Sequence, residues 1–199
     1  MNSPGPYSTY EPPLDRLLLT PEDPAAPQRA ARLAQLGLRD TPRIEFDEFA
    51  RRLALELDAP YAMVNFIDDR RQFFAGLYTP EAGPVNVAQR PMHESAAPSV
   101  GREMGLDHGF CPHTVKRTTA LVLDDVCDYP RFAGNAVVDE IGIRSYMGAP
   151  LIDPLAGINL GTICVVDTDS RTWGRQRLEI IKHMAQEMSE QIQSLATGN

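Results

Sequence analysis

Apolar residues recur along this chain with two different periods, one typical of strands and one typical of helices. Two almost continuous apolar runs, Tyr61–Asp68 and Arg71–Tyr78, meet at a two-residue polar turn. This pattern predicts paired strands, the first of them buried on both faces. The runs Ser145–Ile152 and Ile158–Asp167 flank the sequence Asp-Pro-Leu-Ala-Gly, which predicts a second β-hairpin. A shorter run over Ala120–Val126 predicts one further strand.

Spacings of three and four residues between apolar positions predict three long helices and two short ones. The first long helix stops at Gly37, which is a natural C-cap. Strands that turn back on themselves, with helices placed between them, indicate the α+β class. The predicted helical ranges are 25–36, 42–58, 110–117, 135–141 and 174–196.

The length and composition fit one domain preceded by a tail. The chain has 199 residues, of which 43% are hydrophobic, and this is enough for a single core. Residues 1–13 contain four prolines, so we expect a flexible Pro-rich tail over residues 1–24 and a folded domain over residues 25–197. Residues 79–107 are rich in Pro, Gly, Ala and Ser, and an irregular segment of this length is typical of a lid over a pocket.

Charge, the length of apolar runs and cysteine content limit which partners and which cellular compartment are expected. The formal net charge is −8, and a nucleic-acid partner is not expected because neutralising phosphates requires a basic surface. No apolar run in the sequence reaches the roughly 20 residues of a membrane helix, so no membrane partner is expected either. The three cysteines favour a reducing compartment, which we take to be the cytoplasm.

The segment from His108 to His113 contains the residue types that bind metals. Together with His93, the side chains of His108, Cys111 and His113 would be enough ligands for zinc. However, residues two positions apart do not share a helix face, and no second cysteine pair accompanies them. The spacing therefore supports neither a metal nor a haem, and the cofactor stays unknown.

Cys111 stands at the start of a predicted helix, where the positive end of the helix dipole favours a thiolate. A redox or nucleophilic role is therefore open to it. Strand alternation predicts that Cys164 is buried, while Cys127 lies in a polar turn. The sequence places no second thiol convincingly within reach of Cys111.

A polar segment follows, and four of its residues are candidates for binding or for holding the loop. We expect Asp124 and Asp128 to hold the loop to the sheet, with the Asp128 side chain free to bond to the backbone two residues further along. Arg131 could bind a carboxylate or phosphate through both guanidinium nitrogens, and Asn135 could supply an amide pair. Ordinary loop contacts remain an equal interpretation for Arg131 and Asn135.

These residues resemble the blocks of the GAF domain family in their sequence order, over roughly residues 28–196. Cyclic-nucleotide-binding members carry an Asn-Lys pair and a Phe that this chain lacks, with Asn135 at the Phe position, and no cysteine has a convincing context for a bilin. The four matching blocks are Arg71-Gln72-Phe73-Phe74, Phe110-Cys111-x-His113, Asp124…Asp128-x-x-Arg131-Phe132-x-x-Asn135, and Ala149-Pro150-Leu151…Gly161-Thr162-Ile163-Cys164-Val165.

The resemblance implies an α+β fold with a central antiparallel sheet of about six strands and helices on both faces. It also implies a small-molecule pocket between the sheet and the segment 79–141. Strand alternation sends Phe73 and Phe74 to opposite faces, and it makes Thr162 the best polar candidate on a strand. The candidate ligand-binding residues are Phe74, His108, Phe110, Cys111, His113, Asp128, Arg131, Phe132, Asn135, Tyr146 and Thr162.

The terminal helix carries a repeat that can be interpreted in two ways. Spacings of three and four residues join its apolar positions, as in a helix that pairs with another helix. A stripe packed on the domain's own sheet is the alternative. GAF-like modules often dimerise through terminal helices, so we expect a homodimer. The positions are Leu178, Ile181, Ala185, Met188, Ile192 and Leu195.

These features favour a non-catalytic sensory or regulatory module in signal transduction, which binds a small molecule and acts through a dimer or a signalling protein partner. The sequence has no Gly-rich phosphate loop, no Gly-x-Ser-x-Gly and no His-Glu-x-x-His, which disfavours an enzyme. Two alternatives stay open. One is an enzyme resembling free methionine-(R)-sulfoxide reductase that uses Cys111, and the other is a protein-interaction scaffold with a vestigial pocket.

Overall fold

A single antiparallel sheet organises the protein. A computed structural model describes residues 20–80 and 101–197. The strands lie in the order β3-β2-β1-β6-β5-β4, and every neighbouring pair is antiparallel. Their bounds are β1 Tyr61–Ile67, β2 Arg71–Tyr78, β3 Glu103–Gly105, β4 Leu121–Leu123, β5 Ser145–Ile152 and β6 Asn159–Asp167.

Helices cover both faces of this sheet, which confirms the predicted α+β architecture. The long helices α1, α2 and α6 pack on one face, here called the outer-helix face, and the short helices α3, α4 and α5 lie over the other, here called the short-helix face. A 3₁₀ turn over Val126–Asp128 precedes α4. The helix bounds are α1 Ala26–Gln35, α2 Ile44–Leu57, α3 Cys111–Thr114, α4 Pro130–Ala133, α5 Ala136–Glu140 and α6 Gly174–Thr197.

The two central strands are buried on both sides, as their continuous apolar sequences predict. In β6, Ile163 and Val165 belong to the core of the outer-helix face, whereas Cys164 belongs to the core of the short-helix face. Phe73 and Phe74 of β2 are divided between the two cores in the same way. Period-two alternation thus supplies both cores from the same strands.

The apolar repeat of α6 packs on the domain's own sheet. Ile181, Met188 and Ile192 are buried in the core of the outer-helix face. These three positions therefore belong to the domain's own core, whereas Leu195 at the end of the same repeat is exposed. None of the helices within the described ranges combines the length and hydropathy that a bilayer crossing requires.

Part of the segment predicted as a lid is instead an edge strand. Residues 81–100 lie outside the described residues, but Glu103–Gly105 forms β3 and extends the sheet beside β2. The backbone N–H of Phe74 donates to the carbonyl of Arg102 at 2.8 Å. Backbone pairing with an open sheet edge therefore fixes the end of this segment.

Residues 20–24, which the sequence assigns to the tail, include a residue that ties α1 to the domain. Arg29 of α1 is 1% exposed, and its guanidinium is paired with Asp23. The Nε of Arg29 also donates to the carbonyl of Ile67 at 2.5 Å, at the end of β1. A buried arginine is tolerated because both a carboxylate and a backbone oxygen compensate its charge.

The start of α2 lies directly on β2, and a glycine permits this approach. The carboxylate of Asp47 accepts from the backbone N–H of Leu77 at 2.8 Å and from Arg102 at 2.8 Å. At Gly76, a Cβ atom would lie 2.2 Å from the carbonyl oxygen of Phe46. Any larger residue must therefore push the helix away from the strand.

We predict that Gly76→Ala lowers the free energy of unfolding by about 1–3 kcal/mol, because the added methyl group overpacks the contact between α2 and β2. Urea denaturation followed by circular dichroism measures the change. Gly101→Ala is the matched control, since a Cβ there meets nothing nearer than 3.9 Å. Equal stability of the two variants would contradict the assigned contact.

Candidate functional site

An asparagine at the start of α5 holds this helix to the segment that precedes α3. Asn135 caps α5 by accepting from the backbone N–H of Val137 at 3.3 Å. The same Oδ1 accepts from the N–H of Gly109 at 2.8 Å, and the Nδ2 donates to the Gly109 carbonyl at 3.0 Å. Gly109 has a φ of +73°, a conformation that favours glycine. Asn135 is thus committed to joining α5 to the segment before α3.

This connection encloses a polar pocket of about 410 Å³. Its walls come from the segment after β3, from α3, and from α4 and α5, with Thr20 at one side. No residue of the six strands lines it. The polar and charged side chains considered as binding groups in its lining are His108, His113, Arg131, Asn135, Asp139 and Glu140.

His113 supplies a neutral imidazole to the pocket. Its ring packs edge-on against Phe132, with centroids 5.0 Å apart. The pKa of His113 is lowered to about 4, mainly by burial and in smaller part by the positive charges of Arg131, Lys116 and Arg117. At neutral pH this imidazole can therefore both donate and accept a hydrogen bond.

Arg131 is the uncommitted cation of the pocket. It is exposed, and its guanidinium lies 5.9 Å from the centroid of the Phe132 ring. Within residues 20–80 and 101–197 it makes no ion pair or hydrogen bond. Arg131 is the one lysine or arginine among the described residues that line the pocket, so its guanidinium is the group placed to meet an anion there.

His108 faces acidic neighbours. Its Nδ1 lies 2.7 Å from the Asp107 carboxylate, and its Nε2 lies 3.8 Å from Glu140. The hydrogen bond with His108 lowers the pKa of Asp107. The pocket therefore has a cationic side at Arg131 and an acidic side near Glu140.

The space expected between the sheet and the polar segment is filled with side chains. The Phe110 ring packs edge-on against Phe132 at 5.6 Å and against Tyr146 at 5.3 Å. These aromatic residues cover the apolar face of the sheet, which would otherwise be exposed to solvent. Six candidates lie in this buried layer rather than at the pocket: Phe74, Phe110, Cys111, Phe132, Tyr146 and Thr162.

The candidates that do line the pocket are His108, His113, Arg131 and Asn135. The sequence interpretation missed the contributions of Thr20, Asp139 and Glu140. A signal for Asp139 was present, because it follows the N-cap Asn135 by four positions and so lies on the same helix face, and Glu140 is its neighbour. Thr20 belongs to the predicted tail and carried no such signal.

The acidic residues of the polar loop act differently from one another. Asp124 accepts from the Trp173 backbone N–H at 3.0 Å, so it does bond the loop to the fold as expected. The bond to the backbone two residues further along is made by Asp125 and not by Asp128: the Asp125 carboxylate accepts from the backbone N–H of Cys127 at 3.0 Å. Asp125 also pairs with Arg144 at 2.5 Å. Asp128 is exposed and does not line the pocket.

A second thiol does lie within reach of Cys111. The Sγ of Cys164 is 3.4 Å from the Sγ of Cys111, and both cysteines are buried and free. The sequence separates them by 53 positions, which is why spacing alone could not pair them. Cys127 is exposed and free. Among the described residues, no three His, Cys, Asp or Glu side chains are grouped as metal ligands.

A second groove lies on the outer-helix face, between β5 and α6. Its volume is about 610 Å³, larger than the polar pocket. Apolar residues such as Ala149, Pro150 and Leu178 dominate its walls, and Lys182 and Glu190 lie at its sides. The polar pocket is the better candidate for recognising a small polar molecule, because several polar groups converge there.

Comparison with known proteins agrees with this architecture. The chain is 28% identical over 182 residues to a cyclic di-GMP phosphodiesterase of Pseudomonas aeruginosa, a match that covers 90% of this chain but 27% of that protein. The GAF domain of an Acinetobacter phosphoenolpyruvate-protein phosphotransferase has a TM-score of 0.55 at 16% identity, covering 86% of this chain and 95% of that one. Free methionine-R-sulfoxide reductase of Neisseria meningitidis, in complex with its substrate, has a TM-score of 0.57 at 11% identity, covering 86% and 88%.

The fold and its relatives define a sensory or regulatory α+β module. The GAF domain family model matches residues 42–192, so the chain belongs to the GAF domain family. The two solved structures are too distant in sequence to show more than a shared fold. The curated relative is about four times as long as the matched region, so its activity belongs to a larger protein.

We predict that His113 stays neutral until the pH falls well below its ordinary range. Because the folded pKa is about 4 and the unfolded value is near 6.5, the unfolded state binds the extra proton first. The contribution of neutral His113 to stability is complete above about pH 6.5 and is lost as the pH falls towards 4. NMR titration of the imidazole resonances, assigned with His113→Gln, measures this directly.

The same titration tests the electrostatic role of Arg131. Arg131→Ala should raise the pKa of His113 partway towards its ordinary value, because one positive neighbour is lost while burial remains. Arg175→Ala, on the exposed start of α6, is the matched control and should leave it unchanged. An ordinary His113 pKa in the unmodified protein would refute the assignment.

Proposed function

We propose that this protein is a non-catalytic sensory module that binds a small molecule in the polar pocket. The observation that carries the proposal is the guanidinium of Arg131, which lies over the Phe132 ring, makes no hydrogen bond or ion pair among the described residues, and lines a pocket of about 410 Å³. That volume is within the range of small-molecule sites. Membership of the GAF domain family supports a regulatory rather than a structural role.

The pocket chemistry favours a ligand with an anionic group, either carboxylate or phosphate. Arg131 can bind either group through two parallel hydrogen bonds. The neutral imidazole of His113 can donate to or accept from a neighbouring polar group. Asp139 and Glu140 would suit a donor or cationic group at the other end of the same molecule. Binding would act by shifting the population of conformations in the short helices.

The relative in Pseudomonas aeruginosa supports a place in signalling that involves cyclic di-GMP. The chain matches about a quarter of that phosphodiesterase, so we propose that it acts as a regulatory part or partner of such a signalling protein rather than as the phosphodiesterase itself. The free cysteines support a reducing compartment, and we propose that the module works in the cytoplasm.

Arg131→Ala should reduce ligand affinity at least about tenfold without unfolding the domain, because the exposed guanidinium supports the ligand and not the core. Thermal-shift and calorimetric titration with amino acids, dicarboxylates, nucleotides and cyclic di-GMP would identify a ligand and measure the loss. Arg175→Ala is the matched control, since Arg175 is exposed and does not line the pocket. Equal affinity in Arg131→Ala would defeat the assignment, and no binding across the panel would favour the scaffold alternative.

A sulfoxide reductase is the second candidate, and the 3.4 Å separation of Cys111 and Cys164 favours it. The solved structures with this fold include such a reductase from Neisseria meningitidis. Against it, neither thiol lines the polar pocket, so a bound sulfoxide would need the short helices to open. Thiol-dependent turnover of free methionine sulfoxide that is lost in Cys111→Ser would establish this activity.

We also propose that two copies associate beside the terminal helix, outside its buried seam. The apolar groove between β5 and α6 supports this, because it lies open along that helix. The surrounding exposed residues of α6 are polar, so the association is expected to be weak and dependent on concentration. Sedimentation velocity should show a dimer that increases with protein concentration, and a constant monomer would exclude it.

A further inference from the structure

Two cysteines beneath the short helices have no part in the polar pocket. Cys111 begins α3 and Cys164 lies in the middle of β6, with their sulfur atoms 3.4 Å apart. Neither is in a disulfide. A closing movement of about 1.4 Å would bring the two sulfur atoms to the length of a disulfide bond, about 2.05 Å.

Polar groups around the pair favour one thiolate and one thiol. The hydrogen bond with the Cys164 thiol is the main cause that lowers the pKa of Cys111, to about 6, and the Tyr146 hydroxyl contributes to the same shift. The hydrogen bond to Cys111 in turn raises the pKa of Cys164. The Tyr146 hydroxyl lies 3.5 Å from the Cys111 sulfur and 2.7 Å from Thr114 Oγ1. The hydrogen bonds around the pair thus favour ionisation of Cys111 over ionisation of Cys164.

Thr162 provides a separate, geometric observation at the same place. Its side chain is fully buried, and its hydroxyl has no hydrogen-bond partner within the described residues. Thr162 stands two positions before Cys164, so both side chains leave β6 on the same face. A buried hydroxyl that no other group satisfies is costly, and an adjacent thiolate or oxidised sulfur would provide the missing acceptor.

We propose that Cys111 and Cys164 form a redox site that hydroperoxides oxidise to an intramolecular disulfide. The Cys111 thiolate attacks one peroxide oxygen, so an S–O bond forms, the O–O bond breaks, and the leaving hydroxide takes a proton from solvent as water. The Cys164 sulfur then attacks the sulfenic sulfur of Cys111, so the S–S bond forms and the S–O bond breaks. The second hydroxide leaves with the Cys164 proton, again as water. Overall, two thiols and one hydrogen peroxide give one disulfide and two waters.

The position of Cys111 on α3 allows a change at this redox site to reach the polar pocket. Cys111 is 5% exposed, and it belongs to a helix of four residues that small local openings can expose. His113 stands on the same helix and lines the polar pocket. Closing the sulfur atoms would pull α3 towards β6 and would move His113 with it. Oxidation would therefore change the pocket without requiring any ligand.

The full-length protein, reduced and then treated with one equivalent of hydrogen peroxide, tests the proposal. Remaining thiols are alkylated and the protein is digested with trypsin. The expected product joins the peptide 103–116, which contains Cys111, to the peptide 145–171, which contains Cys164. The His113 imidazole resonance should shift on oxidation and return on treatment with a reducing agent.

Cys127 supplies the matched control, because it is exposed and lies in a different peptide, 118–131. Cys127→Ser should retain the disulfide, whereas Cys164→Ala should leave Cys111 as a sulfenic acid that dimedone traps. Circular dichroism of each variant shows whether it is folded. Oxidation confined to Cys127, or Cys111 and Cys164 both alkylated after peroxide is consumed, would overturn the proposal. Both results can be read from the unmodified protein, even where a variant fails to fold.

Discussion

Burial of β1 and β6 on both faces is the constraint from which the rest of this structure follows. These strands are paired at the centre of the sheet, and their side chains enter two separate cores. Neither face can therefore be left to solvent, since exposing it would return a large apolar area to water. The long helices cover one face. Among the described residues, short helices and loops cover the other face, and their aromatic side chains form that cover.

This use of the aromatic residues decides where a ligand can bind. Phe110, Phe132 and Tyr146 pack edge to face and close the space above the sheet. The polar residues of the same segment then lie beyond this layer, where Asn135 holds the helix α5 to Gly109. The pocket is thus built from the covering segment itself. Its shape depends on short elements with few backbone hydrogen bonds, which are the parts of a fold that respond most readily to a ligand.

The covering segment also explains why two kinds of chemistry lie so close together. Residues of α3 point either towards the sheet, where Cys111 meets Cys164, or towards the pocket, where His113 meets Arg131. On the side that faces the sheet, neighbouring hydrogen-bond donors lower the pKa of the buried Cys111 thiol. On the side that faces the pocket, partial burial keeps the His113 imidazole neutral. Because Cys111 and His113 stand two positions apart on α3, a movement of this helix at the cysteine pair also moves the pocket side.

The sequence by itself determined the architecture, because period-two and helical spacings are local and are imposed by burial along each element. The division of Phe73 from Phe74, the hairpin at Asp153–Gly157 and the bounds of the long helices could all be predicted from neighbouring residues. The tertiary structure alone decided three matters. It placed Cys164 beside Cys111, it placed the buried Arg29 side chain at the end of β1, and it filled the expected hollow with aromatic rings. Each depends on side chains that are distant in sequence or on the volume left between packed elements, and the pattern of a linear chain contains neither quantity.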